Sequence, residues 1–163
     1  MTETVLSWPT LMDAIAAELA AVTDTNGNLA FTVIQGEPIG LPLGGPYACF
    51  WYLGRTVADQ GPQTLTNVMY AARVQVLCLW PVQAERGTLA QWEADIATVD
   101  TSIRRRLRAN STVNSNVTDL DILDSDVAYG DLPVGTAGPQ RALYRVLQME
   151  LRLDNLEGEA ISA

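Results

Sequence analysis

The sequence predicts an α/β (α+β) domain, with a single mainly antiparallel or mixed β-sheet carrying an N-terminal helix and a second long helix packed on it. Three observations carry that reading. Apolar residues recur at i, i+3/i+4 spacing through residues 88–110, a helical stripe. Residues 142–155 alternate apolar and polar with period two, a strand with one buried face. Between the two predicted helices, residues 47–55 and 64–82 are β-prone and apolar. With 163 residues and 48% hydrophobic composition, the chain is read as one domain over 1–163 with a frayed tail from about 156.

In chain order, "PTLMDAIAAELAAV" (9–22) is the first helix, with Thr10 as its cap, Asp13 in its first turn, and Leu11, Ile15, Leu19 and Val22 on one face. Asn26-Gly27 marks a turn, and "LAFTVIQG" (29–36) is a short strand. "EPIGLPLGGPY" (37–47) holds three prolines and three glycines, so it is irregular, yet Ile39, Leu41 and Leu43 make it apolar enough to pack on the fold or on a neighbouring subunit. "YACFWYLGR" (47–55) is apolar on both faces, as in a central strand. The strand over 64–82 alternates at Arg73–Cys78, becomes apolar on both faces at "LCLW", and ends at Pro81. The helix over 88–110 has Thr88 as its cap and a stripe of Leu89, Trp92, Ile96, Val99, Ile103 and Leu107. Residues 119–131, "DLDILDSDVAYGD", are read as a solvated acidic loop in which Leu120 and Ile122 form the inward face of a short strand. In the last strand Leu147, Met149, Leu151 and Leu153 face one way, and Gln148, Glu150, Arg152 and Asp154 the other.

Composition removes several function classes. Formal net charge is −9, and all ten basic residues are arginine, with no lysine and no histidine. Codon bias is the simplest explanation of an arginine-only inventory and rivals any functional one. An acidic balance disfavours a protein whose main task is gripping DNA or an anionic membrane. Without histidine, neither a Ser–His–Asp nor a Cys–His arrangement can form, and two cysteines are too few for an ordinary structural zinc site. Cys49 and Cys78 sit in apolar runs and read as buried free thiols rather than as a disulfide or a nucleophile. No phosphate-cradling glycine motif occurs, and no particular carboxylate pair is marked for acid–base work. No apolar run reaches the roughly 20 residues of a membrane span, and the N-terminus lacks a secretory signal, so a soluble protein made in a cytoplasm is expected, with no cofactor and no metal.

Two charged clusters remain. "SIRRRLRANS" (102–111) puts Arg104, Arg105, Arg106 and Arg108 at a helix end, after Glu93, Asp95 and Asp100, an order that complements the helix dipole. A solvated helix end, a subunit contact and a phosphate contact are its three readings. Asp119, Asp121, Asp124 and Asp126 lack the spacing of an EF-hand loop, which leaves a solvated surface or a subunit contact ahead of calcium. The planar guanidinium pairs bidentately with carboxylates, so a neighbour's aspartates are the natural complement of the arginines.

Three segments carry a family likeness: the strand ending "ARVQVLCLWPV", the helix opening "TLAQWEADI", and the closing strand "RALYRVLQMELRLD". Their order and texture over roughly residues 10–155 resemble the tail terminator (tail-completion) proteins of long-tailed bacteriophages. The resemblance implies a non-enzymatic virion protein at the neck, assembled in the host cytoplasm. It implies a homo-oligomer, a hexameric ring that caps the tail tube protein, stops its polymerisation and meets the head–tail connector protein. Genome DNA would only pass through the lumen. Within this reading Arg104, Arg105, Arg106, Arg108, the four aspartates, Ile39, Leu41 and Leu43 are the subunit-interface candidates. A connector on the head side of the neck is the alternative. A small acidic enzyme and a monomeric adaptor are the rival classes.

Overall fold

The computed structural model describes residues 8–57, 70–82, 86–114, 117, 119–135 and 140–154. Its elements are α1 (Trp8–Ala20), β1 (Thr32–Gln35), β2 (Tyr47–Val57), β3 (Tyr70–Pro81), α2 (Arg86–Ala109), β4 (Asp119–Val134) and β5 (Gln140–Asp154). The five strands form one sheet in the order β1-β2-β3-β5-β4. Only β1 and β2 pair in parallel; the other three ladders are antiparallel, so the sheet is mixed. This is the α+β arrangement that the sequence predicts.

The strict alternation of β5 decides which face is buried. Leu147, Met149, Leu151 and Leu153 are fully buried, and beside them Val74, Val76, Cys78 and Trp80 of β3 point the same way. Both helices cover this face. From α1 come Leu11, Ile15 and Leu19, and from α2 come Ile96, Val99, Ile103 and Leu107. Each of these side chains contributes about 1.5–3 kcal/mol by leaving water. Trp8 packs its ring on Tyr52 at a centroid distance of 4.6 Å, and Phe31 meets Trp80 edge-on at 5.3 Å.

The opposite face divides into two. At one end Leu41, Tyr47, Cys49, Leu79, Val134, Tyr144 and Val146 form a second core. The Pro/Gly-rich loop between β1 and β2 closes it. Leu41 bridges to Val134, and the Gly135 amide donates to the Leu41 carbonyl at 2.7 Å. The hydroxyls of Tyr47 and Tyr144 donate to the carbonyls of Pro42 and Gly44. Because this loop joins the first two strands of the sheet and also touches the last, it draws the two ends of the sheet together. Gly45, at φ +121°, holds the tightest point, where a Cβ would sit 3.1 Å from the Tyr47 ring. The other end of this face is polar and open. There Arg73 pairs with Glu150, and Gln148 and Asp126 are exposed.

Several local expectations are corrected. Helix α1 begins at Trp8, so Thr10 lies inside the first turn and Asp13 beyond it. Helix α2 begins at Arg86, so Thr88 is helical rather than capping. The largest correction is the acidic stretch. It is not a loop with a short strand in it but the core of β4, 16 residues long. Leu120 is buried and Ile122 half-buried, and the aspartates are tolerated because β4 is the outermost strand, with water on its free side. Residues 64–69 of the predicted long strand, the side chain of Leu89 and the tail from 156 lie outside the described residues.

Candidate interaction surfaces

The arginine cluster splits in two. Arg104 donates through Nε to Asp100 at 3.2 Å and through Nη2 to the Ser125 hydroxyl of β4 at 2.8 Å. Arg106 faces the other way, and its Nε donates to Glu18 of α1 at 3.2 Å. Asn110 donates to the second oxygen of that carboxylate, so Glu18 ties α1 to the end of α2. Arg105 and Arg108 differ. Both lie on the exposed side of α2, and neither has an ion pair or hydrogen bond among the described residues. The cause is helical geometry: Ile103 and Leu107 point at the sheet, Arg104 and Arg106 flank them, and positions 105 and 108 are left outward. Arg105 borders a polar groove of about 510 Å³ that it shares with Asp24, Thr98 and Thr101.

Asp119, Asp121, Asp124 and Asp126 are all exposed along β4. Within the chain they are not brought onto the arginines; Arg104 touches Ser125, which stands between Asp124 and Asp126, rather than either carboxylate. Asp124, Asp126 and Glu150 edge a cleft of about 370 Å³ on the sheet face away from the helices, with Gln75 and Gln148. Among the described residues no three His, Cys, Asp or Glu side chains are grouped to hold a metal ion. Nor, among them, is any helix long and apolar enough to cross a membrane.

The three apolar candidates of the loop have different fates. Leu41 is 3% exposed, taken up by the chain's own second core, whereas Ile39 and Leu43 are 73% and 77% exposed. The loop is thus anchored at Leu41, Pro42 and Gly44 and presents two large apolar side chains to solvent. A smaller apolar notch of about 340 Å³ opens where β1 stops beside β2, between Trp8, Met12, Gly36, Phe50, Trp51 and Tyr52.

Asp95 is a residue that sequence reasoning misplaced. Grouped with the acidic side chains that precede the arginines, it is instead 2% exposed, and it accepts hydrogen bonds from the backbone N–H and the hydroxyl of Thr25. It fixes the turn after α1, where Asp24 accepts in turn from the amides of Asn26 and Asn28 at 2.9 and 3.0 Å. Its partner stands 70 residues away, so no local pattern reveals it; the one signal is its place three residues after Trp92 and one before Ile96, on the inward side of the helix. The two cysteines are buried free thiols. Burial pushes Cys49 up to about 11, and burial, helped by Cys49 and Asp100, pushes Cys78 further in the same direction. Both are therefore protonated and poor nucleophiles near neutral pH.

No protein-family model matches the chain. No curated protein sequence matches it either.

Proposed function

We propose that this chain is a structural virion protein, a phage tail terminator that assembles into a ring, caps the tail tube, stops its growth and joins tail to head. The observation that carries the reading is the separation of opposite charges on the exposed surface. Arg105 and Arg108 lie on the outer side of α2 with no ion pair or hydrogen bond among the described residues, and four aspartates line β4 at the end of the sheet. A cyclic ring requires two different, complementary patches on each subunit, each meeting the other patch of a neighbour. A two-fold contact through β4 alone would set aspartate against aspartate. Pairing arginines with a neighbour's aspartates relieves both, and closes by rotation.

The remaining surfaces fit the same assembly. The anchored Ile39 and Leu43 supply an apolar contact for the tail tube protein or the head–tail connector protein. The four-residue edge strand, the anchored loop and the inert thiols support a mechanical rather than a catalytic role.

Electron microscopy of lysates from the parent phage lacking this gene tests the proposal. Overlong tails of variable length beside filled, unattached heads are the expected result. Tails of normal length beside heads that lose their DNA would move the protein to the head side of the neck. Normal infectious particles would overturn the reading.

A further inference from the structure

The sheet is bent at one level. Strand β2 carries a bulge between Tyr52 and Gly54, and β4 carries one between Ile122 and Ser125. Both adjoin the same row across the sheet, that of Tyr52, Val74, Leu151 and Ile122. A bulge sets two residues against one and bends its strand; in β4, Leu123 and Asp124 together oppose Glu150. The pleat is broken there, so Leu123, Asp124 and Asp126 all line the cleft of about 370 Å³ on the open face, with Gln75, Gln148 and Glu150 as its other walls. Glu150 has Arg73 as its partner, but Asp124 and Asp126 form no ion pair among the described residues.

The opposite side of the molecule carries the complement. Ala94, Thr98, Thr101, Arg105 and Arg108 follow i, i+4, i+7, i+11, i+14 spacing and are exposed, so they form the outer ridge of α2. The first three, with Ala97, are small and uncharged. The two threonine hydroxyls donate to the Ala94 and Ala97 carbonyls at 3.1 Å, so this stretch can be covered without stranding a polar group. The acidic side chains of α2 are engaged elsewhere: Glu93 pairs with Arg145, Asp95 is buried on Thr25, and Asp100 pairs with Arg104. Asp24, beside Arg105 in its groove, accepts from the amides of its own turn. Arg105 and Arg108 end the ridge with no ion pair or hydrogen bond among the described residues.

We infer that the outer ridge of α2 in one copy of this chain lies across the open sheet face of the next, with Arg105 and Arg108 entering the cleft at Asp124 and Asp126. A second copy is the occupant because charge and spacing both match. Two outward arginines meet two aspartates that form no ion pair within their own chain. Arg105 and Arg108 stand about 5 Å apart along the helix axis, and Asp124 and Asp126 about 7 Å apart along their strand, within reach of two guanidinium groups. Gln148 is exposed beside them and offers a side-chain carbonyl to the remaining N–H groups. The ridge lies on the helix side of the sheet and the cleft on the other. No single partner can therefore fill the cleft and receive the ridge in one two-fold contact. Each copy gives its ridge to one neighbour and takes the ridge of another, the head-to-tail contact that a ring needs. The contact rests on the ring proposed above and assigns its two faces: of the four aspartates of β4, Asp124 and Asp126 are the ones that meet arginine.

The test uses two full-length variants, Thr101→Cys on the ridge and Gln148→Cys in the cleft, both at exposed positions, in a background whose native thiols are buried. They are treated with a short bismaleimide, alone and mixed, while sedimentation velocity reads the assembly state. Cross-linked dimers from the mixture, and none from either variant alone, are the expected result. Adding Arg105→Glu and Arg108→Glu to the Thr101→Cys chain should abolish the mixed product. The chain carrying both cysteines should give a ladder that ends at the ring size; a ladder without end would uphold the contact and overturn the ring. Self-cross-linking of either variant would mean isologous pairing and overturn the contact, as would a mixed product that survives the charge reversal. A ring without mixed cross-links would overturn the contact and leave the ring standing. A chain that stays monomeric at every concentration would overturn both.

Discussion

The two faces of the sheet are built from the same strands by opposite means. On the helix-covered face, every second residue of β3 and β5 is buried against two amphipathic helices, and the packing is continuous from Leu11 to Leu153. On the other face, one apolar cluster is closed by a loop tied down at Leu41, Pro42 and Gly44, and the remainder is left to charges. The first face holds the chain together. The second, with the strand edges beside it, is where the chain has surface to offer. Stability and assembly are therefore expected to respond to different substitutions.

The sharpest way to break that comparison is to empty each core in turn. Ile103→Ala removes a fully buried side chain from under α2 and is expected to cost about 3 kcal/mol, within the range for large-to-small changes in a packed interior. Leu41→Ala removes a buried side chain from a loop at the margin of the fold, and about 2 kcal/mol is expected, the low end of that range. Denaturant titration gives both numbers. Equal costs would mean that the loop is as integral to the fold as the helices. Hydrogen exchange adds a second reading: Leu41→Ala should expose the Gly135 amide, which donates to the Leu41 carbonyl, and leave β5 protected.

Cys49 and Cys78 lie on opposite faces of the same pair of strands, and both are protonated by burial. The native chain keeps the Cys49 proton that the unfolded chain gives up near its ordinary value of 9.0. Folding stability is therefore fully present below about 9 and falls as pH rises toward the native value of about 11. Cys78, raised in the same direction, extends the loss to higher pH. Urea midpoints measured from pH 8 to pH 11 should fall, and Cys49→Ala should make the fall between 9 and 11 shallower, with Cys78 supplying what remains. Neither thiol should react with iodoacetamide at pH 8 until the chain unfolds.

Legibility in the sequence follows the same division. The helix-covered face could be read because its signals are local and periodic: the stripe of α2 and the alternation of β5 need only residues a few positions apart. The second core could not, since Leu41 and Val134 meet through the return of the chain, and nothing near Leu41 distinguishes it from Ile39 and Leu43, which stay exposed. Strand β4 was hidden for a different reason. Five aspartates oppose β-propensity, and only an outer position in the sheet, a tertiary fact, makes them acceptable. The surface candidates were half legible. Four arginines in five positions announce a charged helix end, but only the helix's rotation against α1 and β4 decides which two are spent inside the chain.

That division sets the smallest stability effects and the clearest assembly effect side by side. Arg106→Ala breaks a half-exposed pair with Glu18 and leaves that carboxylate with Asn110 alone; about 0.5 kcal/mol of stability should go, as for other surface ion pairs. Arg105→Glu with Arg108→Glu touches no described side-chain partner but sets two anions at the C-terminal end of α2, where the helix dipole favours cations, so about 1 kcal/mol of stability should go while the chain stays folded. On assembly the two variants separate fully. The double reversal sets glutamates against a neighbour's aspartates and should shift mass photometry from ring to monomer, more strongly at low salt, where such repulsion is least screened. Arg106→Ala should leave the ring in place. Restoring the ring by adding Asp124→Arg and Asp126→Arg to the reversed chain would identify β4 as the surface those arginines meet. An intact ring in the double reversal would show that the outward arginines serve only the end of their own helix.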